Sequence, residues 1–292
     1  MHAPLYAALA GGEFRARGLD VRLLPAVARP ERLERLRSGA ADAALIDLAS
    51  LVDTVAAEPG FGARCVFVLG RQVPMAALFV AGRPAPTRPI QSPEDLLVAR
   101  YGGEASSQFV LEHRALLRRL GDDDPGLHVE LPYADLFAAL ATGEIDVAPD
   151  YAGILPTYQR AVGATGRVDV LPYRDCGVQA YGTGLVASGR ALRDRRDELA
   201  SFLAVAASAY QAMRADPELT VKAAGSVHRE MDAQYALLEW REAEEPAIFD
   251  PGWRPGTWDR AGWEETIAWR REVAGFQEPP RPEQLCEVLE PP

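Results

Sequence analysis

Lysine is nearly missing from this chain of 292 residues: of 31 basic side chains, Lys222 is the one lysine and all others are arginine. We read the bias first as high-GC coding, but it has a chemical consequence. Any Schiff-base or pyridoxal-phosphate chemistry would have to use Lys222. Cysteine is scarce as well, with Cys65, Cys176 and Cys286 far apart and odd in number. Without a C-x-x-C pair, neither a zinc site nor a redox couple is indicated. His2, His113, His128 and His228 share no metal-ligand spacing. No apolar run approaches the roughly 18 residues needed to cross a bilayer. The first residues lack a basic stretch followed by an apolar core, so no secretory signal is read there. No internal repeat occurs at a fixed period.

What is present reads as an ordinary globular protein. The chain is 48% hydrophobic and 25% charged, and its length suits one large domain or two lobes. A net charge of -11 speaks against nucleic acid or an anionic membrane as partner, since neither is drawn to an acidic surface.

Strand and helix signals alternate along the first eighty residues. Pro4 to Ala10 reads as a helix weakened by Gly11 and Gly12, "LDVRLLP" alternates like a strand, and Arg29 to Ser38 is an amphipathic helix closed by Gly39. "ADAALID" is a short strand, Leu48 to Ala57 a helix, and "ARCVFVLG" and "MAALFVAG" are apolar strands. Prolines in "RPAPTRPIQSPEDL" break this rhythm and indicate a crossing between lobes. Ser92 is expected to cap a turn opened by Pro93. A strand–helix middle follows, with "VARYGGE", "HVELPY", "EIDVAPDY", "VDVLPY" and "YGTGLVAS" as strands and a helix capped by Ser106 or Ser107. Beyond Arg190 the reading is mostly helical. The alternation predicts parallel sheets with covered faces.

In this order, "HAPLYAALAGGEFRARGLDVRLLP", "LRSGAADAAL", "SPEDL", "YADLFAALATGEID", "YGTGLVAS" and "LASFLAVAASAYQAMRADPE" resemble type II periplasmic binding proteins. The closest resemblance is to the branch that carries thiamine-pyrimidine precursors and includes the fungal pyrimidine synthase; "YGGEASSQ" is the segment nearest to it. The resemblance implies an α/β two-lobe clamshell with two hinge crossings. Residues 1–82 plus 185–292 would form lobe I and residues 83–184 lobe II. It implies closure of the lobes about Gly82 to Pro86 and Tyr181 to Gly184. It also implies a small-molecule ligand in the interlobe cleft, an ABC permease and ATPase as partners, a monomer, and an extracytoplasmic location. Relatives carry a strand and a signal sequence ahead of the segment matching "HAPLYAAL". We therefore expect a misassigned start or a trimmed chain, the other reading being a cytoplasmic variant with a rearranged first lobe.

Open α/β sheets bind ligands beyond the carboxyl ends of their strands, which selects four loops. The first holds His2 and Tyr6; the second, after "ADAALI", holds Asp47 and Ser50. In the third, Gly102 and Gly103 let backbone approach closely while Glu104, Ala105, Ser106 and Ser107 open a helix with free N–H groups. Asp150 and Tyr151 form the fourth, with Tyr181 as an added wall. Each has a plainer role: Asp47 and Ser106 as helix caps, Tyr6 as core, the glycines as a tight turn. His113 and His128 read as surface residues, and Trp253, Trp258, Trp263 and Trp269 as packing for helices on the first lobe.

Among these loops the acids Asp47, Glu104 and Asp150 face only Arg100, which falls in a predicted strand. Acids beside tyrosines suit a flat heteroaromatic amine such as a thiamine-pyrimidine precursor. A sulfonate or nitrate would call for a cleft arginine. An enzyme on the same fold, of the pyrimidine-synthase, desulfinase or lyase type, is the rival class. Ile46 and Ser50 stand where the synthase has its lysine and histidine, and "GVQAYGT" lacks the cysteine-rich loop. Cys176 is the one candidate nucleophile, Cys65 being expected buried. No cofactor and no metal are expected.

Overall fold

The protein is described by a computed structural model over residues 2–25, 27–84, 89–121, 127–241, 245–249 and 253–289. Its strands are β1 (Ala43–Asp47), β2 (Arg64–Val68), β3 (Met75–Val80), β4 (Tyr101–Gly103), β5 (His128–Glu130), β6 (Val147–Tyr151), β7 (Val168–Pro172) and β8 (Thr183–Ala187). The helices used below are α1 (Ala3–Gly11), α2 (Arg29–Ser38), α3 (Leu48–Ala57), α4 (Gln108–Leu120), α5 (Leu136–Thr142), α6 (Leu155–Val162), α7 (Arg196–Ala215), α8 (Pro217–Val227) and α9 (Arg260–Ala274).

Local signals explain most helix ends. α1 and α2 carry proline in their first turn, where a missing N–H leaves nothing unpaired, and each gives way to a left-handed glycine, Gly12 or Gly39. Ser92 and Asp95 form a reciprocal capping box over the 3-10 turn Pro93–Val98.

The chain divides into two compact units. The first comprises Met1–Gln72, Tyr181–Ile267 and Phe276–Pro292. Its sheet has the order β1-β8-β2, with β8 antiparallel to both neighbours. Leu185 and Ala187 face a core built with Leu5, Ala8 and Phe14 of the N-terminal helices and Leu203 and Tyr210 of α7. Val186 faces the opposite side, where Leu51, Val52 and Val55 of α3 pack with Trp263.

The second unit comprises Val73–Ala180 and Ala268–Gly275. Its sheet has the order β5-β4-β6-β3-β7. Met75, Ala77 and Phe79 face α4 and Trp269, while Leu78 and Val80 face Leu136, Leu140 and Tyr158. Helices thus cover both faces of each sheet, as the alternation of signals implied.

Some expectations change. The sheets are not parallel throughout: β4 runs parallel to β5 and β6, but β3 opposes β6 and β7. The reason is connectivity, since β3 enters the second unit and β8 returns to the first, each against the run of its neighbours. β3 hydrogen-bonds wholly within the second unit, which begins at Val73, and the first unit resumes at Tyr181, just before β8. The Pro86 end of the expected crossing lies outside the described residues. The last turns of α9 belong to the second unit, so the chain passes between the two units four times. Finally, Leu19–Pro25 forms no sheet ladder. No helix among the described residues is long and apolar enough to cross a membrane.

Candidate functional site

Within the second unit, β5, β4 and β6 lie side by side and run the same way, so their carboxyl ends share one sheet edge. The turn after β4 brings Glu104 to Ser107, the turn after β5 brings Tyr133, and the end of β6 carries Asp150 and Tyr151. Sheets of this kind bind ligands at such an edge.

The glycines at the end of β4 answer to packing. A Cβ on Gly102 would sit 2.9 Å from Ile145, and one on Gly103, whose φ is 141°, would sit 2.7 Å from Val110. Beyond them Glu104 and Ser106 are exposed. Ser107, not Ser106, caps α4 by accepting from the Val110 N–H at 3.3 Å. The Ala105 N–H donates to Glu130 Oε2 at 3.0 Å. A carboxylate therefore already sits against the turn leading into α4, where helix N–H groups favour negative charge.

Asp150 is 1% exposed. Its Oδ1 accepts from the Tyr151 N–H at 2.7 Å and its Oδ2 from the Tyr158 hydroxyl at 3.1 Å. Burial pushes its carboxyl above the ordinary range, against the opposing hydrogen bonds from the Tyr151 N–H and the Tyr133 and Tyr158 hydroxyls. Asp150 thus orients tyrosines and does not face solvent. The exposed surface is aromatic: Tyr133 and Tyr151 are 41% and 40% exposed. Phe109 stacks on Tyr133 with centroids 5.9 Å apart and meets Tyr151 edge-on at 5.1 Å. Phe137 packs against both Tyr133 and Tyr158 behind them.

In the first unit Asp47 caps α3, accepting from the Ser50 N–H at 2.8 Å. The buried Ser50 hydroxyl accepts from Arg29 Nη1 at 2.8 Å. His2 and Tyr6 line a separate groove of the same unit, and Tyr6 stacks on His228 with centroids 4.7 Å apart. Tyr181, expected as an added wall, is 2% exposed and packed between Trp253 and Trp263, and its hydroxyl accepts from the Asp259 N–H at 3.0 Å.

Other assignments also change. His113 is fully buried on the inward face of α4, its Nδ1 2.8 Å from the Tyr173 hydroxyl, and His128 is half-buried with Nε2 2.7 Å from the Gly103 carbonyl. Neither is a surface residue. Trp253, Trp258 and Trp263 pack in the first unit as expected, but Trp269 belongs to the core of the second. Arg100 is committed to Asp146 through two hydrogen bonds of 2.9 and 2.8 Å. Cys65 is buried. Cys176 is buried too, its thiol pushed up to about 12 by burial and then by the nearby charges of Asp175 and Glu94. No cluster of three or more potential metal ligands occurs among the described residues.

Sequence reasoning missed Arg29, Phe109, Tyr133, Phe137 and Tyr158. Tyr133 ends the segment "HVELPY", and its loop counts only once β5 is known to pair with β4. Arg29 starts a helix, and nothing local joins it to Ser50.

The family model described as "NMT1/THI5 like" matches residues 1–220. The chain belongs to the NMT1/THI5-like family. No curated protein matches it. Among solved structures, it is similar to the periplasmic aliphatic sulphonate binding protein SsuA from Escherichia coli, with 17% identity, a TM-score of 0.70, and 99% of this chain and 89% of that one covered. A second is a putative sulfonate ABC transporter protein, periplasmic sulfonate-binding SsuA, from Methylobacillus flagellatus, at 14% identity and TM-score 0.69, covering 98% and 86%. A third is the ligand binding component of an ABC-type import system from Staphylococcus aureus, at 14% identity and TM-score 0.66, covering 98% and 93%. These likenesses show the α/β fold of type II periplasmic binding proteins for this member of the family.

Proposed function

We propose that this chain is the solute-binding component of an ABC-type importer, handing an unmodified small molecule to a permease and its ATPase. The observation that carries this reading is the shared edge at the carboxyl ends of β4, β5 and β6, where a helix N-terminus and exposed rings meet. A small organic anion of the sulfonate class is the preferred ligand. In the first unit, Arg29 donates to the Ser50 hydroxyl beside the second of the selected loops, and an arginine there suits an anionic ligand. The Ala105 N–H, which donates to the Glu130 carboxylate, supports a turn that favours negative charge. Two of the similar structures are described as sulfonate-binding.

A flat heteroaromatic amine, such as a thiamine-pyrimidine precursor, is the second reading. The Tyr133–Phe109–Tyr151 array favours it, since its rings offer edges and faces to a planar ligand. Against an enzyme stand the burial of Cys176, which pushes its thiol up, and the presence of Ile46 and Ser50 where the synthase has its lysine and histidine.

Thermal-shift titration with taurine, ethanesulfonate, nitrate and an aminopyrimidine, followed by mass analysis, tests the proposal. A rise in Tm with one sulfonate, recovered unchanged, is expected. A rise with the aminopyrimidine alone selects the second ligand reading. A chemically altered compound, or no shift with any of them, overturns the proposal.

A further inference from the structure

In the first unit β8 pairs with one side of β2. On the other side Cys286 forms a parallel bridge with Cys65, and the Glu287 N–H donates to the Cys65 carbonyl at 2.9 Å. Cys286 follows the short helix Pro282–Leu285, whose Leu285 is fully buried in the core beneath α3. Just beyond the bridge, Arg196 pairs with Glu287 and donates to the Val288 carbonyl at 3.0 Å. All of these residues belong to the first unit.

A bridge of this kind sets both backbone spacing and side-chain direction. Neighbouring strands lie about 4.8 Å apart, inside the range of about 4.4–6.8 Å between Cα atoms that a disulfide spans. Bridged residues point to the same face of a sheet, and Cys65 and Cys286 both enter the core that holds Leu51, Val55 and Trp263. Both are free thiols in this structure. Burial pushes the Cys65 thiol well above the ordinary range; a Phe67 backbone hydrogen bond opposes this and the Cys286 thiol adds to it. Cys65 Sγ lies against Gly184, where a Cβ would sit 2.9 Å from it. Bonding to Cys286 therefore takes a rotation of Cys65 χ1 to another staggered well.

We propose that Cys65 and Cys286 form a disulfide on exposure to a small disulfide oxidant, fastening residues 281–289 to the edge of β2. A metal does not fit the pair, since two thiolates fall short of a zinc site and no cluster of three or more potential ligands occurs among the described residues. Cys176 packs in the core of the second unit and is the thiol left over from the odd count. Cys286, 7% exposed against 0% for Cys65, reacts first. It gives up the proton it donates to the Pro282 carbonyl at 3.2 Å, and its thiolate attacks the oxidant, expelling one thiolate. The deprotonated Cys65 then attacks the Cys286 sulfur of the mixed disulfide and expels the second. Two protein thiols are oxidised, the oxidant is reduced to two thiols, and those take up the two protons. Because both sulfurs are buried, the reaction waits on local loosening of residues 281–289. The loop so closed contains every residue of the second unit, and long loops restrain the unfolded chain most.

The test incubates the full chain with oxidised glutathione, quenches with acid, and alkylates the unfolded protein. Peptide mapping without reductant is expected to show a Cys65–Cys286 link, an intact mass lower by two hydrogens before alkylation, and alkylation at Cys176 alone. The linked protein should melt about 5 °C or more above the reduced form, and dithiothreitol should abolish the gain. Cys286→Ala is expected to remove both link and gain, whereas Cys176→Ala keeps both. Should Cys286→Ala fail to fold, mapping and melting of the parent chain decide alone. Alkylation of all three cysteines after oxidation, glutathione retained on Cys286, a link through Cys176 or between two chains, or an unchanged Tm of the linked protein would each overturn the proposal.

Discussion

The Tyr158 hydroxyl donates to Asp150 Oδ2 at 3.1 Å, beneath an exposed pair of tyrosines. Because burial is the largest influence on Asp150, its folded-state pKa lies above the ordinary 3.8. The folded state then binds more protons than the unfolded chain as pH rises past 3.8, so Asp150 subtracts stability above that point. Asp150→Asn is therefore expected to gain stability relative to the parent as pH rises from 4 toward neutrality. Urea unfolding of both proteins across that range checks this; parallel pH profiles would contradict it.

A second buried ionisable group acts through the opposite protonation change. Burial lowers the His113 pKa from 6.5 to about 3. Between those values the unfolded chain takes up a proton that the folded protein refuses, so stability falls as pH drops from 6.5 toward 3. His113→Gln should show a shallower loss over that interval, measured by the pH dependence of the urea midpoint.

Arg270 and Glu112, 6% and 1% exposed in their side chains, meet at 3.2 Å inside the second unit, and Gln108 also donates to Glu112. Removing one member of a buried ion pair costs about 3–5 kcal/mol. Glu112→Leu alone and Arg270→Met alone should each lose stability on that scale, while the double variant recovers much of it. A double-mutant cycle by chemical denaturation reads the coupling, and additive losses would refute it.

Two tyrosines separate surface from scaffold. Tyr151→Ala removes an exposed ring and is expected to weaken binding of an aromatic ligand by about three- to tenfold. Tyr181→Phe should leave affinity unchanged and lower stability by about 1 kcal/mol through the lost Asp259 hydrogen bond. Calorimetric titration and thermal melts on both variants distinguish the roles.

The proposed sulfonate reading gives Arg29 a role that an aminopyrimidine would not need. Arg29→Gln is expected to weaken sulfonate binding by about tenfold or more, the loss of one charge-assisted bond, without altering affinity for an aminopyrimidine. An unchanged sulfonate affinity would remove the arginine from the site.

Residue order alone was enough wherever the signal is local. Pro4 and Gly12, Pro30 and Gly39, and Asp47 set the observed limits of α1, α2 and the start of α3, because caps and breakers act within one turn. The short apolar runs became β1, β2 and β3 for the same reason, and the ordered segments carried the family resemblance. Tertiary structure decided what depends on partners distant in sequence. β3 joined the second unit because β6 and β7 pair with it; His113 went inward because Tyr101 and Tyr173 pack on that face of α4; and Tyr181 was claimed by tryptophans some seventy to eighty residues away. Phe109, Tyr133 and Tyr151 became one surface only because β5, β4 and β6 lie in adjacent order. Strand order is settled by which hydrogen-bonding edges meet in space, and no local stretch of sequence carries that information.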